Sequence, residues 1–274
     1  MGRALYLHHP SSLEHDTGDH PEQPARIVAI ERALESRDWL GYEREQAPRA
    51  ERAVVEGVHP SAYIQHIEEI CAQGGGMLDL DTVASARSFD AAMHSAGGSV
   101  RAVEALLSGE AEITFCGLRP PGHHAEAARA MGFCLFNNVA IAARRALDGL
   151  GAKRVLVLDW DVHHGNGTND IFYDTDAVLY FSIHQSPLYP GTGSLGENGT
   201  GAGLGYTIFT LETYKTFFFP SKPRGKFAGK PILHPDMLRR RQHFVPLYAA
   251  IWILVLTGFY LALTQPHSGL VHIL

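Results

Sequence analysis

The stretch that constrains this chain most runs from Val155 to Asp170, VLVLDWDVHHGNGTND. Val155 to Leu158 is an unbroken apolar run, the pattern of a strand buried on both faces. It turns abruptly into Asp159, Asp161, His163 and His164, followed by a Gly-Asn-Gly loop. Charged and imidazole groups at the C-terminal end of a buried strand are where an open α/β sheet places its chemistry. Asp161 and His163 are two apart, so in extended backbone their side chains leave on one face. A carboxylate and an imidazole that converge suit a divalent metal such as zinc. The competing reading is a polar turn that carries histidines by chance. Against it, four titratable groups so close together are costly to bury without a cation or partners.

Around this stretch the chain alternates between strand and helix patterns. Arg3 to His8 reads as a first strand, ending in a His, Pro and Asp-rich loop. Pro24 precedes a helical pattern at Ile27, Ile30, Ala33 and Leu34, where proline fits a first turn. VVEGVHPSAYIQHIEEI reads as a second strand and a helix, with His59 and His66 structural or at the surface. LDLDTVASARS reads as a loop before a long helix whose Ala91, Ala92, Ala96, Gly97 and Gly98 permit close packing. Asp79 and Asp81 read first as helix-capping acids. Ile113 to Leu118 is a strand, and Arg119-Pro120-Pro121-Gly122 is a stiff exit that delivers His123 and His124. Those two are either surface residues or, beside Asp161 and His163, groups for proton transfer near pH 7. Met131, Phe133, Cys134 and Phe136 read singly as core, and Asn137 begins an alanine-rich helix. Ala177 to Ile183 is a further buried strand, and the glycine-rich loop after it lacks the context of a phosphate loop. The alternation predicts an α/β fold, a parallel sheet with helices on both faces.

Charge is unevenly distributed. Residues 213–274 hold 8 Lys/Arg and one acid, Asp236, leaving 15 Lys/Arg against 28 Asp/Glu upstream. Two segments with different physical roles follow, and the net charge of -6 argues against nucleic acid as a partner. Cys71, Cys116 and Cys134 are few, odd in number and scattered, which fits a reduced cytosol. The start, MGRALYLHHP, has no apolar core of signal-peptide length, so a cytoplasmic catalytic portion is expected.

At RPPGHHAE, GFCLFNN and DWDVHHGNG the sequence resembles the zinc-dependent histone deacetylase family, closest to bacterial class II-like amidohydrolases that include acetylpolyamine deacetylases. DHPEQPAR, DLDT and HQSPLYPGTGSLGENGTG add support from Arg3 to about Tyr206. The resemblance implies an arginase/deacetylase-like fold and hydrolysis of an acetyl-lysine or acetyl-polyamine amide by metal-activated water. It implies Asp161 and His163 as two of three protein ligands to zinc. His124 becomes the general base and later acid, and His123 its electrostatic partner. Asp159 orients His123 and Asn166 orients His124; many relatives carry Asp at the latter position. Gly132 and Phe133 wall the acyl channel, with Tyr189 on the opposite wall. Asp81 falls where relatives hold substrate backbone, and Arg26 where they line an inner cavity. Asp159, Asp161, His163, Ser182 and Ile183 match a potassium site, and Phe172, Thr175 and Val178 part of a second. Arginase-like enzymes with two manganese ions need a further Asp four residues beyond the first, where this chain has Gly165. That favours a single metal.

The resemblance also predicts a second Asp ligand and an oxyanion-donating tyrosine downstream, and neither motif occurs after Tyr206. A catalytic zinc site normally has three protein ligands, so impaired activity is expected, in a deacetylase portion that is truncated or fused to an unrelated tail. The expected organisation is a deacetylase-type portion over 1–208, a basic Pro/Gly-punctuated linker over 209–245, an apolar helix over 246–265 and a tail over 266–274. Leu247 to Leu263 is uncharged and mostly apolar, roughly 26 Å long as a helix, near the lower limit for a bilayer core. Arg239 to Arg241 would place its preceding end in the cytoplasm. A membrane anchor and a buried helix both fit that stretch, as do an enzyme and a non-catalytic, membrane-tethered remnant for the chain.

Overall fold

Helices and parallel strands alternate along the residues that this computed structural model describes, 2–211. The linker after residue 211, the apolar stretch 246–265 and the tail 266–274 lie outside the described residues. Among the described residues no helix is long and apolar enough to cross a membrane.

The elements are β1 (Ala4–His8), α1 (Ser11–Glu14), α2 (Ala25–Glu35), β2 (Glu43–Gln46), α3 (Arg52–Glu56), α4 (Ser61–Ala72), β3 (Gly75–Asp79), β4 (Thr82–Ser85), α5 (Ser88–Leu107), β5 (Ile113–Cys116), α6 (Asn138–Gly149), β6 (Val155–Asp159), α7 (Asn166–Ile171), β7 (Val178–His184) and β8 (Thr207–Leu211). The single parallel sheet expected from the alternation is, among the described residues, two three-stranded parallel sheets, ordered β2-β1-β5 and β6-β7-β8. β3 and β4 form an antiparallel hairpin.

Two apolar cores support the strand ends. One gathers Ile64, Ile67, Phe89, Met93, Leu135, Phe136 and Ile141. The other joins Val155, Val157, Phe172, Val178, Tyr180 and Phe209. Fully burying a side chain the size of Phe136 contributes about 1.5–3 kcal/mol, so each cluster is a substantial anchor. Long, small-residue α5 packs on β5 and α6, with Ala91, Ala92 and Ala96 fully buried. Asn137 caps α6 by accepting from the Ala140 amide at 3.1 Å, and its own amide donates to His59 Nε2 at 2.8 Å. His59 is thus structural, and its Nδ1 meets the Ala127 carbonyl at 2.8 Å.

Three expectations are corrected. Val54 and Val55 belong to helix α3 rather than a strand. Burial of Val55 in the first core, and Arg52 reaching Glu56 one turn on, override the β preference of the valines. The loop LDLDTVAS is mostly the β3–β4 hairpin. Asp79 and Asp81 cap no helix: α5 begins at Ser88, and the two acids flank the hairpin tip.

Candidate active site

The loop after β5 is fixed from beneath. Arg119 is buried, and its guanidinium donates to Glu22 Oε2 at 2.6 Å and to the His15 carbonyl at 3.1 Å. Its amide donates to the Ser12 hydroxyl at 3.1 Å. The Pro120 carbonyl accepts from Ser95 and Asn138. A guanidinium with five donors in a fixed fork satisfies several acceptors at once, which is how a buried cation holds an irregular loop. Sequence reasoning missed this brace, because Glu22 lies 97 residues from Arg119.

The brace delivers two imidazoles side by side, with ring centroids 4.0 Å apart. His123 Nδ1 lies 3.0 Å from Asp159 Oδ2, and His124 Nδ1 lies 2.9 Å from Asn166 Oδ1. A carboxylate and an amide oxygen both accept, so each Nδ1 carries the proton and each Nε2 faces away from its partner. Asn166 is oriented in turn by donating to Glu126 Oε1 at 2.9 Å. Burial pushes His124 down to about 3, reinforced by neighbouring His123. Burial alone would raise Asp159, but the charge and hydrogen bond of His123 outweigh it and hold this carboxyl below its ordinary range. The Tyr180 hydroxyl donates to Asp159 Oδ2 at 2.9 Å. A tyrosine among the apolar residues that open β7, Val178 to Phe181, was the available signal for this partner, since a buried hydroxyl needs one.

The loop after β6 is built differently. The Asp161 amide donates to Asp159 Oδ1 at 3.1 Å, and the His163 amide to Asp161 Oδ1 at 2.7 Å. These bonds curl the backbone so that Asp161 Oδ1 and His163 Nδ1 stand 3.1 Å apart. The pair is half exposed. Gly165 lets the loop close over the dyad, since a Cβ there would strike the Asp159 carboxylate and lie 2.9 Å from His123 Nδ1. His163 and His124 ring centroids are 5.9 Å apart, so the imidazole pair and the Asp161–His163 pair share one site.

Carboxylate oxygen and imidazole nitrogen are donors that zinc accepts, and a separation near 3 Å lets two donors meet one ion. The described residues supply two such donors; no group of three His, Cys, Asp or Glu side chains among them could hold an ion. The donor set therefore fits a divalent metal in kind and is short in number. Asp159 and Ser182, two of the residues matched to a potassium site, are register partners on β6 and β7, with Ile183 next on β7. The Ser182 hydroxyl is 2.9 Å from His184 Nδ1. Phe172 and Thr175 are joined by a turn ahead of Val178, the start of β7.

Above the imidazoles, Tyr189 stands edge-on to His124 and His163, at centroid distances of 5.1 and 6.1 Å. Burial, followed by Asp81 and Asp79, raises its hydroxyl to about 12. Gly132 has φ +57°, and a Cβ on it would run into the His124 ring. Phe133 follows with φ +71°, a left-handed conformation rare for a residue with a side chain, and its ring packs edge-on with His20 at 4.6 Å. Asp81 Oδ1 accepts from the Gly132 amide at 3.3 Å. Arg26 is more than half exposed on α2, 3.9 Å from Glu22.

The sequence profile of the histone deacetylase domain matches residues 20–216. A probable deacetylase from Methanothermobacter thermautotrophicus is 44% identical over 205 residues, covering 72% of this chain and 59% of its own length. A histone deacetylase-like amidohydrolase from Pseudomonas aeruginosa is 43% identical over 156 residues, 56% of this chain and 41% of its own. The crystal structure of the HDA15 HD domain superposes with a TM-score of 0.74 at 34% identity, covering 77% of this chain and 63% of that one. The chain thus spans about three-fifths of the length of curated relatives that it matches. The matched region holds the motif residues, and the fold brings its imidazole pair and its carboxylate–imidazole pair into one site: the chain belongs to the histone deacetylase domain family.

Proposed function

We propose that this site is that of a zinc-dependent amidohydrolase acting on an acetylated amine, an acetyl-lysine side chain or an acetyl-polyamine. The observation that carries the reading is the asymmetric dyad. His123 is backed by a carboxylate and His124 by a neutral amide. The Asp159 carboxylate places a negative charge behind His123, whereas burial keeps His124 neutral, with Asn166 leaving a lone pair on its Nε2. A carboxylate-backed imidazole and a neutral, amide-backed one, 4.0 Å apart, suit an amide hydrolysis that needs a base for water and a donor to the developing oxyanion. His124 takes the proton from water and returns it to the departing amine, while Asn166 keeps its ring and tautomer fixed. Phe133 and Tyr189 exclude water from the acyl stem, and Asp81 holds the substrate backbone. Asp161 and His163 would hold the zinc ion, which when bound supplies the Lewis acid for carbonyl and water. Asp159, Asp161, His163, Ser182 and Ile183 would hold a potassium ion, which when bound would supply positive charge at these strand ends.

The two-donor set supports a second reading, in which this polypeptide binds zinc weakly and turns over little. Loss of one oxyanion donor typically costs about 10²–10³ in rate, so a residual activity is the expectation. The test is a zinc titration of the full chain with an acetyl-lysine peptide and an acetyl-polyamine as substrates. Slow, zinc-stimulated acetate release that disappears in His124→Ala supports the amidohydrolase. Acetate release that is equal in wild type and His124→Ala sinks it; zinc binding without release supports the second reading.

A further inference from the structure

The β3–β4 hairpin and the Gly132–Phe133 turn meet through one hydroxyl. Thr82, first residue of β4, is fully buried. Its Oγ1 accepts from the Phe133 amide at 3.1 Å and donates to Asp81 Oδ1 at 3.2 Å. The same carboxylate oxygen accepts from the Gly132 amide at 3.3 Å. Three hydrogen bonds therefore form a closed lace between Asp81, Thr82 and two consecutive left-handed residues. A register irregularity between Met77 and Asp79 lies just before this point, and such irregularities commonly re-aim side chains beside sites.

The turn needs a restraint. Phe133 carries a side chain at φ +71°, which the backbone leaves unless its surroundings hold it. Gly132 sits against the His124 ring, so the turn cannot move inward. Outward movement is opposed by the bonds to Asp81 and Thr82. A further tie between hairpin and turn region, Arg129 to Asp79 at 3.4 Å, is exposed on the arginine side and weak.

We infer that Thr82 is a positioning residue: its hydroxyl couples the substrate-facing carboxylate of Asp81 to the Phe133 wall, so that rim and channel are set as one unit. The inference rests on the amidohydrolase reading for what the channel holds, but the tether itself does not. Thr82 touches no reacting atom. It acts by fixing the ring that flanks the acyl stem and the carboxylate that receives the backbone beyond it. A hydroxyl has one donor and two lone pairs, and this one uses its donor on Asp81 and a lone pair on Phe133. Valine would keep the shape and lose both bonds; serine would keep both.

The test compares full-chain Thr82→Val and Thr82→Ser with wild type in two measurements. The first is amide hydrogen exchange at Gly132 and Phe133, which requires no turnover. Faster exchange at those amides in the valine variant, with the rest of β4 and α5 unchanged and wild-type rates in the serine variant, is expected. The second is steady-state hydrolysis of an acetyl-lysine peptide with zinc. KM should rise about tenfold in the valine variant, the loss of one to two hydrogen bonds, with kcat changed by less than about twofold, and serine should restore KM. Unchanged exchange in the valine variant, or a fall in kcat at constant KM, overturns the inference. If wild type hydrolyses nothing and exchange still responds as described, the tether stands and the amidohydrolase reading is what fails.

Discussion

The loops that leave β5 and β6 meet at one site and are built on opposite principles. The β5 loop is held by buried groups from distant segments: Arg119 on Glu22, Ser12 and His15, and His59 on Ala127 and Asn137. In the β6 loop the turn that aims Asp161 and His163 is set by its own residues, Asp159 to Asp161 to His163, while Val162, His164 and Gly165 around it are tied to Gln185, Thr192 and Tyr180. Asp161 and His163 stay half exposed, while His124 is buried. Proton transfer needs a fixed ring and a fixed tautomer, and burial with dedicated acceptors supplies both. Metal donors need to remain reachable by an ion, and short local bonds suffice to aim them. The difference predicts that substitutions in the first loop act through stability and those in the second through metal affinity.

The largest effect should come from Arg119→Met, which strips buried Glu22 of its main partner and leaves it only the longer approaches of His15 at 3.5 Å and Arg26 at 3.9 Å. Breaking one partner of a buried pair costs about 3–5 kcal/mol, read by urea denaturation. The double variant Glu22→Gln with Arg119→Met should cost less than Arg119→Met alone. A loss under about 1 kcal/mol in the single variant would break the comparison, because the β5 loop would then not depend on its brace. The same loop should fail in acid. Burial lowers His15 and His59 to about 4 from an ordinary value of 6.5. The unfolded chain therefore binds these protons first. Stability from both groups is intact above about pH 6.5 and is lost as pH falls toward 4, by roughly 2 kcal/mol per histidine at pH 5. Denaturation curves between pH 7 and 5 should show that slope, and His59→Asn should remove about one proton from it. An equal slope in that variant would show that His59 is not buried neutral.

How much of this was legible depends on how far apart the partners lie in the chain. The β6 strand was readable because four consecutive apolar residues fit a strand buried on both faces. The α6 start was readable because Asn137 accepts locally from Ala140. The motif histidines could be placed together once the family resemblance was seen. β2 was missed because its sequence, Glu-Arg-Glu-Gln, carries no apolar face; it is an edge strand, mostly exposed. The β3–β4 hairpin was missed because Leu80 at its tip is almost wholly exposed and Thr82 is wholly buried, so apolar alternation misleads there. Valines at 54 and 55 suggested a strand because local preference was read without the core that Val55 enters. Arg119–Glu22 and the Thr82 lace join residues 97 and 51 apart, and only the fold can place those together.

An intermediate effect is expected at the joint between the two loops. Asn166 begins α7 after the β6 strand and yet serves His124 from the β5 side. Asn166→Ala should leave the zinc affinity of Asp161 and His163 unchanged and reduce acetate release by about tenfold to a hundredfold, as a misplaced base would. Asn166→Asp should retain a tautomer-fixing acceptor and lose less. Equal losses in the two variants would mean that the acceptor behind His124 does not set its tautomer.

The smallest effect on stability belongs to the β6 loop, and its smallness is the sharper half of the comparison. Asp161 is half exposed, and its carboxylate accepts from the His163 amide within its own turn. Asp161→Asn keeps an amide oxygen in the same place, able to accept from the His163 amide. Surface substitutions of this kind stay within about 0.5 kcal/mol, so the zinc-free chain should unfold at nearly the same urea concentration as wild type. Zinc affinity should drop at least about tenfold, since a neutral amide oxygen is a far poorer ligand for a divalent ion than a carboxylate. A variant that loses affinity without losing stability places Asp161 in metal binding rather than in holding the loop. A variant that loses both would show that the two loops share one scaffold, and the division drawn between them would be wrong.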